Sequence, residues 1–187
     1  MPHSRTTTAL IAILGVGLSA CNSMMPWRTP NIATMPIPSD LEPTAKERRA
    51  FTVYARGVQI YTCELKEGAA PNWNFVAPEA TLYDTPSTNV AVGSHGAGPF
   101  WEARDGSKVI GKVKARADAP TETSIPWLLL TTTSAGGAGK MANVSSVQRI
   151  NTYGGVAPTT GCAKKEDAGK TVRVPYSSDY VFFASGG

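Results

Sequence analysis

The sequence predicts an all-β fold: a sandwich or barrel of about eight short, mainly antiparallel strands, preceded by one short helix. Three observations lead to this prediction. From residue 58 onward, short stretches rich in Val, Ile, Tyr, Phe and Thr recur, several with apolar and polar residues in alternation. Gly, Pro, Asn and Asp separate these stretches, as turns do in β proteins. The dipeptide Asp105-Gly106 is the residue pair preferred in a two-residue hairpin turn.

The short helix is expected over residues 44–54. Thr44 followed three residues later by Glu47 has the spacing of a capping box, which marks a helix N-terminus. The first strand is expected over Val58–Glu64, where alternation places Gln59, Tyr61 and Cys63 on one face.

The hairpin at Asp105-Gly106 gives the most specific local prediction. A two-residue turn places Trp101 opposite Ile110 and Ala103 opposite Lys108. The segment Pro126–Thr133 is apolar without alternation through Leu130, which is typical of a strand covered on both faces. Further strands are predicted within residues 73–78, 80–84, 145–152 and 174–184.

The first 20 residues have the features of a bacterial export signal. Arg5 precedes an apolar run from Ala9 to Leu18, which is shorter than the roughly 20 residues a membrane-spanning helix needs. The string LSAC that ends at Cys21 resembles the bacterial lipobox. The resemblance implies cleavage before Cys21 and attachment of acyl chains to it, and two or more such chains give stable membrane binding. An ordinary secretory signal with a coincidental cysteine is the alternative.

The residues after Cys21 indicate in which membrane the protein is anchored and that a spacer separates the anchor from the domain. In lipoproteins of this kind, Asp after the cysteine retains the protein at the inner membrane, and residue 22 is Asn. We therefore expect a cell-envelope protein at the outer membrane, facing the periplasm. Five prolines in residues 21–43 favour an extended tether, followed by one β-rich domain over residues 44–187.

The two remaining cysteines are Cys63 and Cys162. In the oxidising periplasm, an even pair in an exported chain most simply forms a disulfide. Reactive thiols or a metal pair are the alternatives, but neither cysteine lies in a C-x-x-C motif. We therefore expect one disulfide, and no metal or cofactor.

The charge of the chain excludes a dedicated nucleic-acid surface. The formal net charge is +4, and the basic residues of segment 104–116 alternate with apolar ones, as on a solvated face of a sheet. The predicted partners are the membrane, through the lipid, and a small molecule, an envelope polymer or a protein.

One histidine, His95, remains after the signal, among Gly93, Gly96 and Gly98. A lone histidine can act as a general base if a partner positions it, and the acidic residues considered are Glu79, Glu102, Asp105 and Asp118. The sequence has no G-x-S-x-G nucleophile motif. A structural or ligand-contacting role for His95 is therefore favoured over catalysis.

Polar residues within apolar strands suggest a cavity. A buried polar side chain must find partners, so Gln59, Gln148 and Arg149 either tie strands together or line a pocket. Aromatic rings are expected in the core or in pocket walls. The predicted ligand-binding set is His95, Trp101, Gln59, Tyr61, Glu79 and Arg149.

Several characteristic strings follow one another over residues 45–184, among them GVQIYTC (57–63), GSHGAGPFWEARDGS (93–107), IPWLLL (125–130), VQRINTYGG (147–155) and VPYSSDYVFF (174–183). This ordered set resembles domain-of-unknown-function family 3455 (DUF3455). The resemblance implies an exported β-rich domain with paired cysteines, and it implies no established reaction.

The sequence thus predicts a non-enzymatic lipoprotein, anchored at Cys21, whose β-domain binds a ligand or partner. An envelope hydrolase or isomerase using His95 with a carboxylate is the alternative, and a purely structural lipoprotein is a third. Convergence of His95, Gln59, Arg149 and Trp101 on one cavity would favour binding or catalysis over a structural role.

Overall fold

Eight antiparallel strands form one sheet that closes into a barrel. The structure is a computed structural model and describes residues 35–186. Each strand pairs with its neighbours in chain order, and the first strand pairs with the last to close the barrel. The predicted all-β fold is confirmed. The strands are β1 (Glu47–Glu64), β2 (Asn72–Tyr83), β3 (Ala91–Gly96), β4 (Phe100–Ala103), β5 (Lys108–Ala117), β6 (Trp127–Ser134), β7 (Val144–Gly154) and β8 (Thr171–Ser185).

The prediction of a helix over residues 44–54 is wrong. The Thr44 amide and hydroxyl do donate to the Glu47 carboxylate, at 2.9 Å each, but the turn they close leads directly into β1. From Glu47 onward the backbone pairs with β8, and Phe51 stacks on Phe182 of that strand. A local capping signal adds little stability, so the long-range pairing and burial along β1 outweigh it.

Within residues 35–186, the helical elements are two three-residue 3-10 turns, Ser39–Leu41 and Lys165–Asp167. No helix in that range is long and apolar enough to cross a membrane. The predicted signal sequence, Cys21, Asn22 and most of the predicted tether lie outside the described residues.

The register predicted for the β4–β5 hairpin is wrong by one residue. The Ala103 amide donates to the Ser107 carbonyl at 2.9 Å, so the turn has three residues, and Trp101 pairs with Val109. A two-residue type I′ turn needs a positive φ at both central positions, but Gly106 has one (82°) and Asp105 does not. The Asp105 carboxylate instead accepts hydrogen bonds from the Ser107 amide and hydroxyl.

Two apolar clusters lie on opposite faces of the sheet. The inner cluster fills the barrel and includes Leu82, Trp101, Val109, Leu130, Tyr180 and Phe182. The outer cluster consists of Leu41, Trp127, Leu129, Ile150, Val181 and Phe183. Strand β6 is therefore covered on both faces, as its sequence predicts.

The outer cluster is covered by the segment before β1. Leu41 is fully buried there, and its carbonyl accepts a hydrogen bond of 2.7 Å from Gln148 Nε2. Gln148 thus ties the segment to the outside of the barrel, while its neighbour Arg149 faces the interior.

The two ends of the barrel differ. At one end, here called the closed end, the β6–β7 loop folds inward and buries Met141, whose amide donates to Ser107 Oγ at 2.9 Å. The other, open end carries the β1–β2, β3–β4, β5–β6 and β7–β8 loops. There Cys63 of β1 forms the predicted disulfide with Cys162 of the β7–β8 loop.

Candidate functional site

A cavity of about 1000 Å³ lies inside the open end of the barrel. An eight-stranded barrel has an interior that side chains can just fill, or that can hold one small ligand. Here large rings fill the closed half, and the space toward the loops is left to the cavity. Its wall is mainly apolar, with contributions from Phe75, Val76, Pro78, Val113, Ile125, Leu128 and Leu130.

The structure brings five of the six predicted ligand-binding residues to this cavity: Gln59, Tyr61, His95, Trp101 and Arg149. The sixth, Glu79, is not part of it. Because side chains alternate along β2, the buried neighbours Pro78 and Ala80 leave Glu79 on the outer surface. There its carboxylate pairs with Arg173 at 2.6 Å.

His95 lies in the wall of the cavity, on β3, and is only 3% exposed. Its Nδ1 lies 2.7 Å from the Phe100 carbonyl oxygen, which can only accept, so Nδ1 carries the proton and Nε2 is the acceptor. The ring stacks on Trp101 at 4.6 Å and tilts against Tyr180 at 4.8 Å.

Burial lowers the pKa of His95 to about 3. The hydrogen bond to the Phe100 carbonyl opposes this shift, and the positive charge of Arg149 adds to it. The imidazole is therefore neutral at physiological pH.

The structure does not give His95 a carboxylate partner among the described residues. Each acidic residue considered from the sequence is engaged elsewhere: Glu79 with Arg173, Glu102 with Lys108, Asp105 in its turn, and Asp118 with Arg116. A catalytic base is normally oriented by such a third group. Over residues 35–186 there is also no cluster of three or more His, Cys, Asp or Glu placed to hold a metal ion.

Arg149 is the half-buried cation of the cavity. It lies on β7 opposite Leu128, and its Nε and Nη2 both donate to the Pro126 carbonyl, at 3.1 and 2.9 Å. Burial raises the pKa of Tyr61 and of Tyr176, and the charge of Arg149 opposes the rise at both. Its positive potential thus reaches several strands of the interior.

Two further donors near the cavity have no acceptor within the described part of the chain, residues 35–186. They are Gln59 Nε2 and Trp101 Nε1, and both are buried. Buried polar groups are normally paired, so an unpaired donor in a cavity wall indicates a place where a ligand or water binds. Tyr61, by contrast, is satisfied, because its hydroxyl donates to the Gly155 carbonyl at 2.6 Å.

The rim of the cavity was not predicted from the sequence. Four apolar side chains there are 40–55% exposed: Phe75, Val76, Val113 and Val156. In the sequence they look like ordinary strand or loop residues. A bulge between Val113 and Ala115 also reverses the alternation of β5, so that Ala115 packs on the outer cluster and Arg116 lines the rim.

A family model described as "Protein of unknown function (DUF3455)" matches residues 43–184. The match spans β1 to β7 and all but the last residue of β8. No curated protein and no solved structure matches the chain.

Proposed function

The chain belongs to the DUF3455 family of proteins of unknown function, and from that premise we propose that it is a non-enzymatic, lipid-anchored protein of the cell envelope that binds a small molecule inside its barrel. The cavity at the open end is the observation that carries this proposal. Its volume of about 1000 Å³ is at the upper end of the usual range for small-molecule sites. Its wall also has their usual composition, apolar with a few polar groups.

The construction of the open end supports a preformed site. The β7–β8 loop is held over the barrel by the Cys63–Cys162 disulfide, by Tyr61, and by Trp73 Nε1, which donates to the Thr160 carbonyl at 3.0 Å. A loop fixed at three points loses little conformational entropy when a ligand binds, which favours affinity.

Binding is favoured over catalysis by the surroundings of His95. The ring is packed against two aromatic side chains, its Nδ1 donates to a carbonyl, and its pKa is far below physiological pH. A neutral imidazole with these contacts forms part of the cavity wall and offers its Nε2 as a hydrogen-bond acceptor. The hydrolase or isomerase alternative therefore gains no support.

The anchor rests on the sequence around Cys21. The proposed partner at that end is the membrane, and Asn22 favours the outer membrane, with the barrel in the periplasm. Replacing the cysteine (Cys21→Ala) should move the protein from the detergent phase to the aqueous phase in detergent phase separation. Continued partitioning of the variant into detergent would refute the anchor.

Ligand binding can be tested with N-phenyl-1-naphthylamine, an uncharged apolar dye that fluoresces when it leaves water. The full-length protein carrying Cys21→Ala should bind it saturably. Adding Val113→Trp, which fills the cavity from its exposed rim, should weaken binding at least about tenfold. Val90→Trp is the matched control, because Val90 is 64% exposed and lies on the β2–β3 loop at the closed end. Absence of saturable binding, or equal effects of the two variants, would count against the proposal.

A further inference from the structure

We propose that the ligand is an amphipathic organic anion, with an apolar body and a carboxylate that is bound by Arg149. This inference rests on the proposed function, because it identifies the chemical class of the molecule that occupies the same cavity. It follows from the distribution of hydrogen-bond donors, charges and apolar surface around that space.

The first observation is the incomplete pairing of Arg149. A guanidinium has five N–H donors, and two of them bind the Pro126 carbonyl. Among residues 35–186, no carboxylate lies within ion-pair distance of it. A half-buried cation without a counter-ion is costly, and a ligand carboxylate satisfies the remaining donors in the bidentate geometry that arginine favours.

The second observation is that the two buried polar groups of this wall that lack a hydrogen-bond partner among residues 35–186, Gln59 Nε2 and Trp101 Nε1, are both donors. Gln59 is 2% exposed and lines the cavity. Its side chain lies close enough to the Tyr176 hydroxyl to lower the pKa of that group, but its Nε2 makes no well-formed hydrogen bond within residues 35–186. A cationic ligand would leave this donor unpaired, whereas an anion supplies oxygen acceptors for it and for Arg149 together.

The third observation is the position of the acidic residues. Asp118 and Glu122 line the cavity but lie on the exposed β5–β6 loop, where solvent screens their charge, and Asp118 is 4.0 Å from Arg116. Among the described residues, the only carboxylates that line the cavity are these two, so the interior carries Arg149 without a buried carboxylate beside it. The electrostatic potential therefore becomes more positive from the rim inward, which attracts an anion and repels a cation.

The apolar part of the ligand follows from the rest of the wall. Leu128, Leu130 and Ile125 line the interior, and Phe75 and Val113 continue the apolar surface to the rim. A small hydrophilic anion such as inorganic phosphate would leave these surfaces in contact with water. An anion with an aliphatic or aromatic body buries them.

The test compares three probes with the same ten-carbon chain and different head groups: decanoate, decanol and decyltrimethylammonium. Each displaces N-phenyl-1-naphthylamine from the full-length protein carrying Cys21→Ala. Decanoate should bind at least about tenfold more tightly than decanol, as expected for a charge-assisted hydrogen bond, and the cationic probe should bind most weakly.

Arg149→Gln should reduce decanoate affinity about tenfold or more and leave decanol affinity within about twofold. Arg173→Gln is the matched control. It removes one positive charge from the outer surface, where Arg173 pairs with Glu79, and it should change neither affinity.

The outcomes separate the inference from the proposed function. Failure of the wild-type cavity to bind the dye refutes the proposed function and the inference with it. Dye binding with equal displacement by decanoate and decanol refutes the anionic ligand alone. This comparison needs no substitution at position 149, so it holds even where Arg149→Gln does not fold. A decanoate preference that survives in folded Arg149→Gln refutes the assignment of Arg149.

Discussion

Lowering the pH from 7 to 5 should destabilise this protein because of one buried side chain, His95. In the folded barrel its pKa is about 3, against 6.5 for a free histidine. Below pH 6.5 the unfolded chain therefore binds a proton that the folded chain does not. Stability must fall as the pH decreases from 6.5 toward 3, because protons favour the state that binds more of them.

The magnitude follows from the two pKa values. Each pH unit within that window costs about 1.4 kcal/mol, so between pH 7 and pH 5 the histidine removes about 2 kcal/mol. The side chain is 3% exposed, so solvent does little to screen this effect. Glu47 and Asp105, whose pKa values are lowered to about 2, lose their stabilising contribution only as the pH falls through the values of the free carboxyls, 4.5 and 3.8. Burial raises the pKa of Asp179, so that carboxyl opposes the histidine effect. Comparison with a variant that lacks only the histidine cancels all three contributions.

The assay is urea unfolding followed by tryptophan fluorescence at pH 7, 6 and 5, on the wild type and on His95→Gln. Glutamine stays neutral at every pH and its amide N–H can donate to the Phe100 carbonyl in place of Nδ1. The free energy of unfolding of the wild type should fall by about 2 kcal/mol more than that of the variant. Parallel profiles for the two proteins, or a wild type that loses less stability than the variant between pH 7 and pH 5, would refute the assigned burial of the imidazole.

Three further predictions concern the barrel and its loops. Leu41→Ala should lower the free energy of unfolding, measured in urea, by about 3 kcal/mol because the side chain is fully buried on the outer face of the barrel. A loss below about 0.5 kcal/mol would show that the segment before β1 does not pack there. Gly111→Ala should cost about 1–3 kcal/mol in the same assay, because its Cβ would lie 2.7 Å from a tryptophan ring, whereas Gly137→Ala has open space and should have little effect. Non-reducing peptide mapping should recover Cys63 linked to Cys162, and reduction should lower the melting temperature; two alkylatable thiols in the native protein would contradict the bond.

The strand content and the disulfide could be predicted from the sequence because both follow from local or countable features. Alternation along Val58–Glu64 correctly places Gln59 and Tyr61 on one face, since side chains in a strand alternate regardless of what the strand pairs with. The disulfide follows from an even number of cysteines once Cys21 is assigned to the lipid.

The errors occurred where distant residues decide a local conformation. Residues 44–54 carry a capping signal for a helix, but their pairing with β8, more than 100 residues later, makes most of them a strand. The hairpin has a three-residue turn in which Asp105 lacks a positive φ, and the Asp105 carboxylate also accepts a hydrogen bond from the Lys140 amide of another loop, a contact that the local sequence does not reveal. Glu79 was considered as a carboxylate partner for His95, but the alternation of β2 turns it outward.

The sequence by itself determined the all-β class, the pairing of the two cysteines and the identity of most polar residues that line the cavity. The closure of the barrel decided which side chains from distant parts of the sequence come into contact. It packs His95 against Trp101 and Tyr180, leaves Arg149 without a counter-ion among the described residues, and assembles the apolar rim from β2, β5 and the β7–β8 loop. These arrangements come from strands and loops far apart in sequence, and a periodicity of two specifies the face on which a side chain lies but not the strand it will meet.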